Sequence, residues 1–462
     1  MKHRTTLGCL AAVLILGCLL PASAICAAGN VGAYYLLRKP VVLRDPAQIS
    51  AEMDRIEAEV RALREIPDAA PVERTLITPG QLRTKMTADF EKNYSSQQAQ
   101  DDLEEYAAFN LLDPKFDLYS FYVNTYSTSV LGYYDPTEKQ LYVVTGGGFG
   151  PSEESTFAHE YMHGLQFQKD NLSPENWDSG ANSDVASGKQ AIVEGEAEFV
   201  EETWQKRYLS LGDQIDYYKQ SLAGLNLDQL RIPNFLEREL YFPYIEGKAF
   251  IAYLYAEGGW TAVDGAFHSP PASTEMILHP EKYLQNDQPD PVAKPVLPES
   301  FTAGWREVHD DAMGEFATDL ILATEVDTAQ AAQAAAGWGG DRFVVWQNHS
   351  TLATAVAWHT RWDTQTDADE FSSALSRFDG GRFGAAIPAT GAVCWRAAVA
   401  ACQTQSGADV WWFYGPDGQT VQSLMESNLP AGSAFNPFFN SSIPIFFPSN
   451  IGRLSSPFTV PH

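Results

Sequence analysis

The sequence predicts an α+β fold: a mostly helical domain with a small edge sheet, followed by a smaller α+β module. Three observations predict it. Apolar residues at helical spacing dominate the chain up to about residue 285. One pair of short strand-like runs interrupts them, in "SVLGYYDPTEKQLYVVTGGG". Beyond a stretch carrying Pro289, Pro291, Pro295 and Pro298, the pattern turns to strands.

The elements follow in order. Lys2 and Arg4 precede an apolar run, Leu7 to Leu20, too short for a comfortable membrane span. Ala22-Ser23-Ala24 offers a small-residue cleavage site, so residues 1–24 read as an export signal cut before Ile25. An uncleaved anchor and acylation at Cys18, in a loose lipobox, are the alternatives, and only they would tie the chain to a membrane. Residues 25–129 form an N-terminal helical region, with helices over Ala47–Arg64 and roughly Pro79–Asn110. Residues 130–285 form the central domain. Val130–Tyr134 and Gln140–Thr145 read as strands joined by an Asp135-Pro136 turn, and Gly146 to Gly148 break the second before a helix beginning near Pro151. "KQAIVEGEAEFVEETWQKRYLSL" and Tyr244–Gly258 are further helices. Residues 286–300 are a proline-rich linker or loop.

Residues 301–429 form the C-terminal module. It opens with a helix over Met313–Ala336, and strands follow across "GGDRFVVWQNHSTLATAVAWHTRW". "DTQTDADEFSSALSRF" reads as a helix with acids at its N-terminus, and "ADVWWFYGPDGQTVQSL" as a hairpin. The acidic start lacks the glycine and terminal glutamate of a calcium loop. Trp338 and Trp362 read as core anchors, and His309, His349 and His359 as isolated structural histidines. Cys394 and Cys402 suggest one local disulfide, consistent with export. Residues 430–462 form an aperiodic tail.

The formal net charge of −28 repels phosphate backbones, so nucleic acid is excluded as a partner.

The chemistry concentrates in "SEESTFAHEYMHGLQFQKD". On a helix His159 and His163 are one turn apart and share a face. Phe157, Tyr161 and Leu165 lie on another face, which leaves the imidazoles pointing toward a cleft. Two neutral nitrogen donors on a rigid support can share one metal ion, and Glu160 can reach a water there without being a ligand. A third donor is needed. The pattern with a third histidine six residues on fails, because that position is Lys169. "AIVEGEAEFVEE" supplies glutamates instead, with Glu194, Glu198 and Glu201 on one face. Their mutual repulsion costs helix stability, which a divalent cation would offset. Glu194 is the better ligand, since Gly195 beside it permits close approach. Glu198 would then accept the outer N–H of a ligating histidine. The reverse assignment stays open at this stage.

"HEYMH" followed by "EGEAE" resembles the gluzincin group of zinc metallopeptidases. A wider set of blocks, "LGYYDPTEKQLYVV", "FAHEYMHGLQFQ", "VEGEAEF", "PYIEGKAF", "GGW", "PPASTEMILHPEKY" and "AAGWGGDRFVVW", is similar to a largely uncharacterised group of exported bacterial metallopeptidases. That likeness runs from about Val130 to Phe371. It implies a zincin-like catalytic domain over 130–285 and one Zn2+ per chain held by His159, His163 and Glu194. It also implies Glu160 as general base, a peptide or protein substrate, and a secreted or envelope-associated enzyme. Tyr244 and His279 are the candidates for stabilising the oxyanion, and Leu141–Val144 for the edge strand that pairs with an extended substrate. The alternative is a non-catalytic metal-binding or scaffold protein on the same fold.

Overall fold

The computed structural model describes residues 42–128, 132–144, 148–170, 172, 182–224 and 232–430. The expected signal over residues 1–24, with Cys9 and Cys18, lies outside the described residues, as do Cys26 just past it and the tail beyond residue 430. Among the described residues no helix is long and apolar enough to cross a membrane.

The architecture is α+β, with helices grouped around a three-stranded sheet and, further along the chain, a seven-stranded one. Helix α1, Pro46–Arg64, starts where Asp45 accepts from the Ala47 N–H at 2.8 Å and Pro46 fits the first turn. It buries Ile49, Met53, Ile56 and Val60. Strand β1, Glu73–Ile77, follows. The single helical region expected over 79–110 is two helices, α2 (Pro79–Asn93) and α3 (Ser96–Ala108). The break is local: Ser95 forms a capping box with Gln98 and restarts the helix. Helix α4, Leu118–Thr128, leads to β2, Gly132–Asp135, and β3, Gln140–Val144.

Sheet order is β1-β3-β2, with β1 parallel and β2 antiparallel to β3. This corrects the edge-strand expectation. Leu141–Val144 is the central strand, both of its edges are taken, and β2 is the strand bonded to the histidine helix.

Helices α5 (Pro151–Asp170), α6 (Ser183–Tyr208), α7 (Leu211–Gly224) and α8 (Asn234–His268) build the rest of the helical part. Helix α8 is far longer than the expected Tyr244–Gly258; it carries Pro243 inside and breaks at Gly258–Gly259, where Gly259 has φ +62°. Its N-terminal half packs along α6, and α1, α5, α6 and α8 enclose one apolar core. Short helices α9 (Thr274–Leu278) and α10 (Pro280–Gln285) precede the proline-rich stretch, which is irregular up to a 3-10 turn at Glu299–Phe301 and is bonded to the C-terminal sheet through Asp290 N–H to Gly339 O at 2.6 Å.

The C-terminal sheet is antiparallel throughout, in the order β4 (Trp305–Asp311), β5 (Trp338–Asn348), β6 (Thr354–Trp362), β10 (Asp409–Gly415), β9 (Ala400–Ser406), β8 (Ala392–Arg396), β7 (Ile387–Ala389). The helix expected over 313–336 is again two, α11 (Gly314–Leu322) and α12 (Thr328–Ala335), the second capped by Asp327. Helix α13, Gln365–Phe383, has the expected acidic start, Thr364 and Asp367 forming its capping box. It packs Phe371, Leu375 and Phe378 with Trp338, Trp358, Trp362 and Trp412. The hairpin expected over 408–424 is half right: β10 ends at Gly415, and Asp417 caps a helix, α14 (Gly418–Asn428). That helix packs Val421, Leu424 and Met425 on the opposite face, beside the Cys394–Cys402 disulfide that joins β8 and β9. Phe109, just past α3, is fully buried with edge contacts to Phe343 and Trp358 at 5.5 Å, so the N-terminal helical region shares the core of this sheet.

Candidate metal centre

Helix α5 carries His159, Glu160 and His163. The sequence places the histidines on a face turned to a cleft; the structure buries α5 on every side, from Ser155 to Gln166. Helices α1, α6 and α7 and strands β2 and β3 all pack against it. The imidazoles therefore point into the interior, toward α6.

Three donor atoms converge there. His159 Nε2 and His163 Nε2 lie 3.2 Å apart, and Glu194 Oε2 sits 3.4 Å from the first and 3.5 Å from the second. All three side chains are buried. Among the described residues neither carboxylate oxygen of Glu194 has a hydrogen-bond partner. A buried carboxylate without a partner is costly, and such a group calls for something to be bound. A tetrahedral ion with bonds of about 2.0–2.1 Å needs donor–donor edges of about 3.3–3.4 Å, the spacing found here. The donor set and spacing could hold a metal ion.

The outer nitrogens are held as well. His159 Nδ1 meets Glu201 Oε2 at 3.1 Å. Glu201 is fixed in turn by Ser155 Oγ, which donates at 2.6 Å, and Gln205 Nε2, at 3.0 Å. His163 Nδ1 meets Gln166 Oε1 at 2.9 Å. Gln166 Nε2 donates to Val193 O at 2.9 Å and Glu196 Oε2 at 2.8 Å, and Glu196 pairs with Arg64 of α1. Acceptors at both Nδ1 atoms put the ring protons there and leave both Nε2 lone pairs facing Glu194. Two lone pairs at that separation repel unless a proton or a cation lies between them. Burial opposes charge on His159, but Glu194 and Glu201 outweigh it and raise its pKa well above the usual value. Burial likewise works to raise the pKa of Glu194, and the two histidines outweigh it and lower it.

Glu160 sits behind the histidines and accepts from the Tyr134 N–H of β2 at 2.9 Å. Its pKa is raised, chiefly by burial, with the two histidines opposing. Tyr244 is brought to the site: its ring lies 6.3 Å from that of His159, nearly parallel to it. His279 is not. It caps the end of α9 and pairs with Glu315 at 2.9 Å, in no contact with the triad. The expectation for Glu198 also needs correction. Glu201, one turn further, takes the outer nitrogen of His159, while Glu198 faces Lys248 at 3.5 Å. Glu198 remains near enough to form a second potential donor group with His159 and Glu201.

Close helix packing makes the convergence possible. A Cβ on Gly195 would lie 2.2 Å from the Gly247 carbonyl carbon, and one on Gly247 would lie 2.1 Å from Ala191 O. Gly195 thus admits the backbone of α8. Gln166 lies three residues past His163, a spacing a sequence reader could have tested, whereas Arg64 and Tyr134 carry no local signal.

A family model described as a domain of unknown function, DUF8575, matches residues 299–425. That segment spans the seven-stranded sheet and lies outside the histidine–glutamate cluster. No curated protein and no solved structure matches the chain.

Proposed function

We propose that the chain is a zinc-dependent peptidase of zincin-like fold, exported by its N-terminal sequence, with His159, His163 and Glu194 as metal ligands. The observation that carries this reading is the Glu194 carboxylate, buried and without a hydrogen bond, converging with two inward imidazole nitrogens at tetrahedral spacing. When bound, zinc would acidify water toward neutral pKa and polarise a carbonyl oxygen. The chain's residues do the rest. Glu160, its basicity raised by burial, accepts the proton of the attacking water and returns it to the leaving amine. The Tyr134 N–H fixes the orientation of Glu160. Tyr244 stands beside His159 as the candidate donor to the oxyanion. Peptide or protein substrate is the class this chemistry serves.

The depth of the triad favours a second reading, a non-catalytic protein with a closed structural metal site. One variant tests the metal site common to both readings, and a second separates them. Elemental analysis of the wild type should give one zinc per chain, and Glu194→Ala should lose it. Glu160→Gln should keep the metal and lose peptide hydrolysis by about 10²–10⁴-fold. A metal-free wild type would sink both readings, and a metal-replete wild type inert toward a mixed peptide library would leave the structural one.

A further inference from the structure

A cavity of about 150 Å³ lies between α2–α4, α6, α8 and α11. That is the size of a cavity that holds a benzene ring. Its walls combine aromatic rings, among them Tyr106, Tyr122, Phe235 and Phe316, with the carboxylates of Asp102, Glu105, Asp184 and Glu239. No lysine, arginine or histidine is among the lining residues.

Three of those carboxylates are engaged. Asp102 accepts from Tyr94 Oη at 2.5 Å and faces His309 Nε2 at 3.3 Å, behind the wall. Glu105 faces His309 Nδ1 at 3.8 Å. Asp184 accepts from the Thr274 N–H at 2.9 Å and hydroxyl at 2.5 Å. Glu239 lines the cavity, half-buried, and among the described residues no hydrogen bond or counter-charge acts on its carboxylate. Protein crowded around its carboxylate, together with the charge of Asp102, raises its pKa to about 7. An unpaired carboxylate in an aromatic cage lacks one component, a cation that can pair with the acid and lie on the ring faces.

The cavity also stands next to the triad. Gln190 on its wall is four residues before Glu194 on α6, a rise of about 6 Å. Pro243 on its wall immediately precedes Tyr244 on α8. Side chains on one face of an extended peptide recur about every 6.6 Å, the scale of that offset, so a peptide bound at the triad would have its next side chain on that face within reach of the cavity.

We propose that this cavity is the specificity pocket for a cationic side chain, lysine or arginine, of a peptide bound at the triad, with Glu239 as its counter-charge. The proposal rests on the peptidase reading, and its test is arranged so that the two fail separately. The first arm compares cleavage of peptides that differ at one position: lysine, arginine, norleucine or citrulline. Wild type should favour the cationic members at least tenfold in kcat/KM, and Glu239→Gln should bring that ratio near one. The second arm needs no catalysis. Calorimetric titration with butylammonium, and with butanol as its neutral counterpart, should show binding of the cation to wild type and at least tenfold weaker binding to Glu239→Gln. The melting temperature of Glu239→Gln should not fall, because the change removes a carboxylate that has no counter-charge and is repelled by Asp102. A peptide preference untouched by the substitution, or butylammonium binding equal in both proteins, would overturn the proposal. Butylammonium binding that depends on Glu239, without a preference among cleaved peptides, would overturn the peptide source and assign the cavity to a free amine. If no peptide is cleaved, the peptidase reading fails while the titration still reads the cavity.

Discussion

His159 and His163 present Nε2 inward because other groups hold Nδ1, and on the proposed reading the quality of those groups sets how well the site would bind a metal. Glu201 is the more exposed to test, since it orients His159 and is itself held by Ser155 and Gln205. Glu201→Ala should weaken metal affinity by about 10–100-fold without removing a ligand, read by competition with a chromogenic chelator. Glu198→Ala should change it much less, because that side chain faces Lys248. Equal losses would return Glu198 to the role its position in the sequence suggests. The converging donors are legible in the sequence because residues one turn apart share a face, and because three glutamates on one helix face repel one another and need a reason. The choice between Glu198 and Glu201 is not legible. Both lie on the Glu194 face, and only the crossing of α5 against α6 decides which carboxylate reaches Nδ1. His279 misleads for a similar reason: a histidine beside a proline carries no information about which part of the fold it meets.

At the scale of elements, the site depends on the contact between α6 and α8 at Gly195 and Gly247. Gly195→Ala would drive a methyl group into the Gly247 backbone, which is rigid, so the helices must part. Overpacking of this kind costs about 1–3 kcal/mol or more, and urea unfolding should show a loss in that range. Because Glu194 precedes Gly195 and Tyr244 lies on α8, the same variant should also bind metal more weakly. Long amphipathic helices such as α1 and α6 are well marked in the sequence by their apolar spacing. The splits at Ser95 and Asp327 are written there too, as capping residues inside runs of helical period, but periodicity alone bridges them. Strand β1 is short and its residues are mostly exposed, so nothing in its sequence announces that it covers the edge of β3. Phe109 shows why the boundary between the N-terminal region and the C-terminal sheet escapes a linear reading, as an aromatic residue next to a helix end does not say which core receives it.

Across the whole molecule, a net charge of −28 is joined by acids that folding takes out of water. Burial raises the pKa of Glu154 to about 8, of Glu239 and Asp379 to about 7, and of Asp341 to about 6. Each is above the value of about 4 expected in the unfolded chain. The folded state therefore holds more protons than the unfolded state between those limits, and stability falls as pH rises through them. His309 acts in the same direction. Burial opposes its charge, but Glu105 and Asp102 outweigh it and raise its pKa to about 9, so its contribution is complete below about 6.5 and lost toward 9. Asp264 and Asp310, lowered on balance by Lys169 and Arg64 and by Arg342 and Lys294 respectively, stabilise above about 4 and add no slope at neutral pH. A bound metal would work the other way, because the histidines would have to shed protons to bind it, so the comparison belongs in chelator. In chelator the melting temperature should fall steadily from pH 5.5 to pH 8.5. Asp379→Asn, which keeps an acceptor for the Trp412 indole N–H, should flatten part of that slope around pH 7. A melting temperature that rises over the same range would show that the buried acids are not the groups that set the stability of this strongly acidic chain.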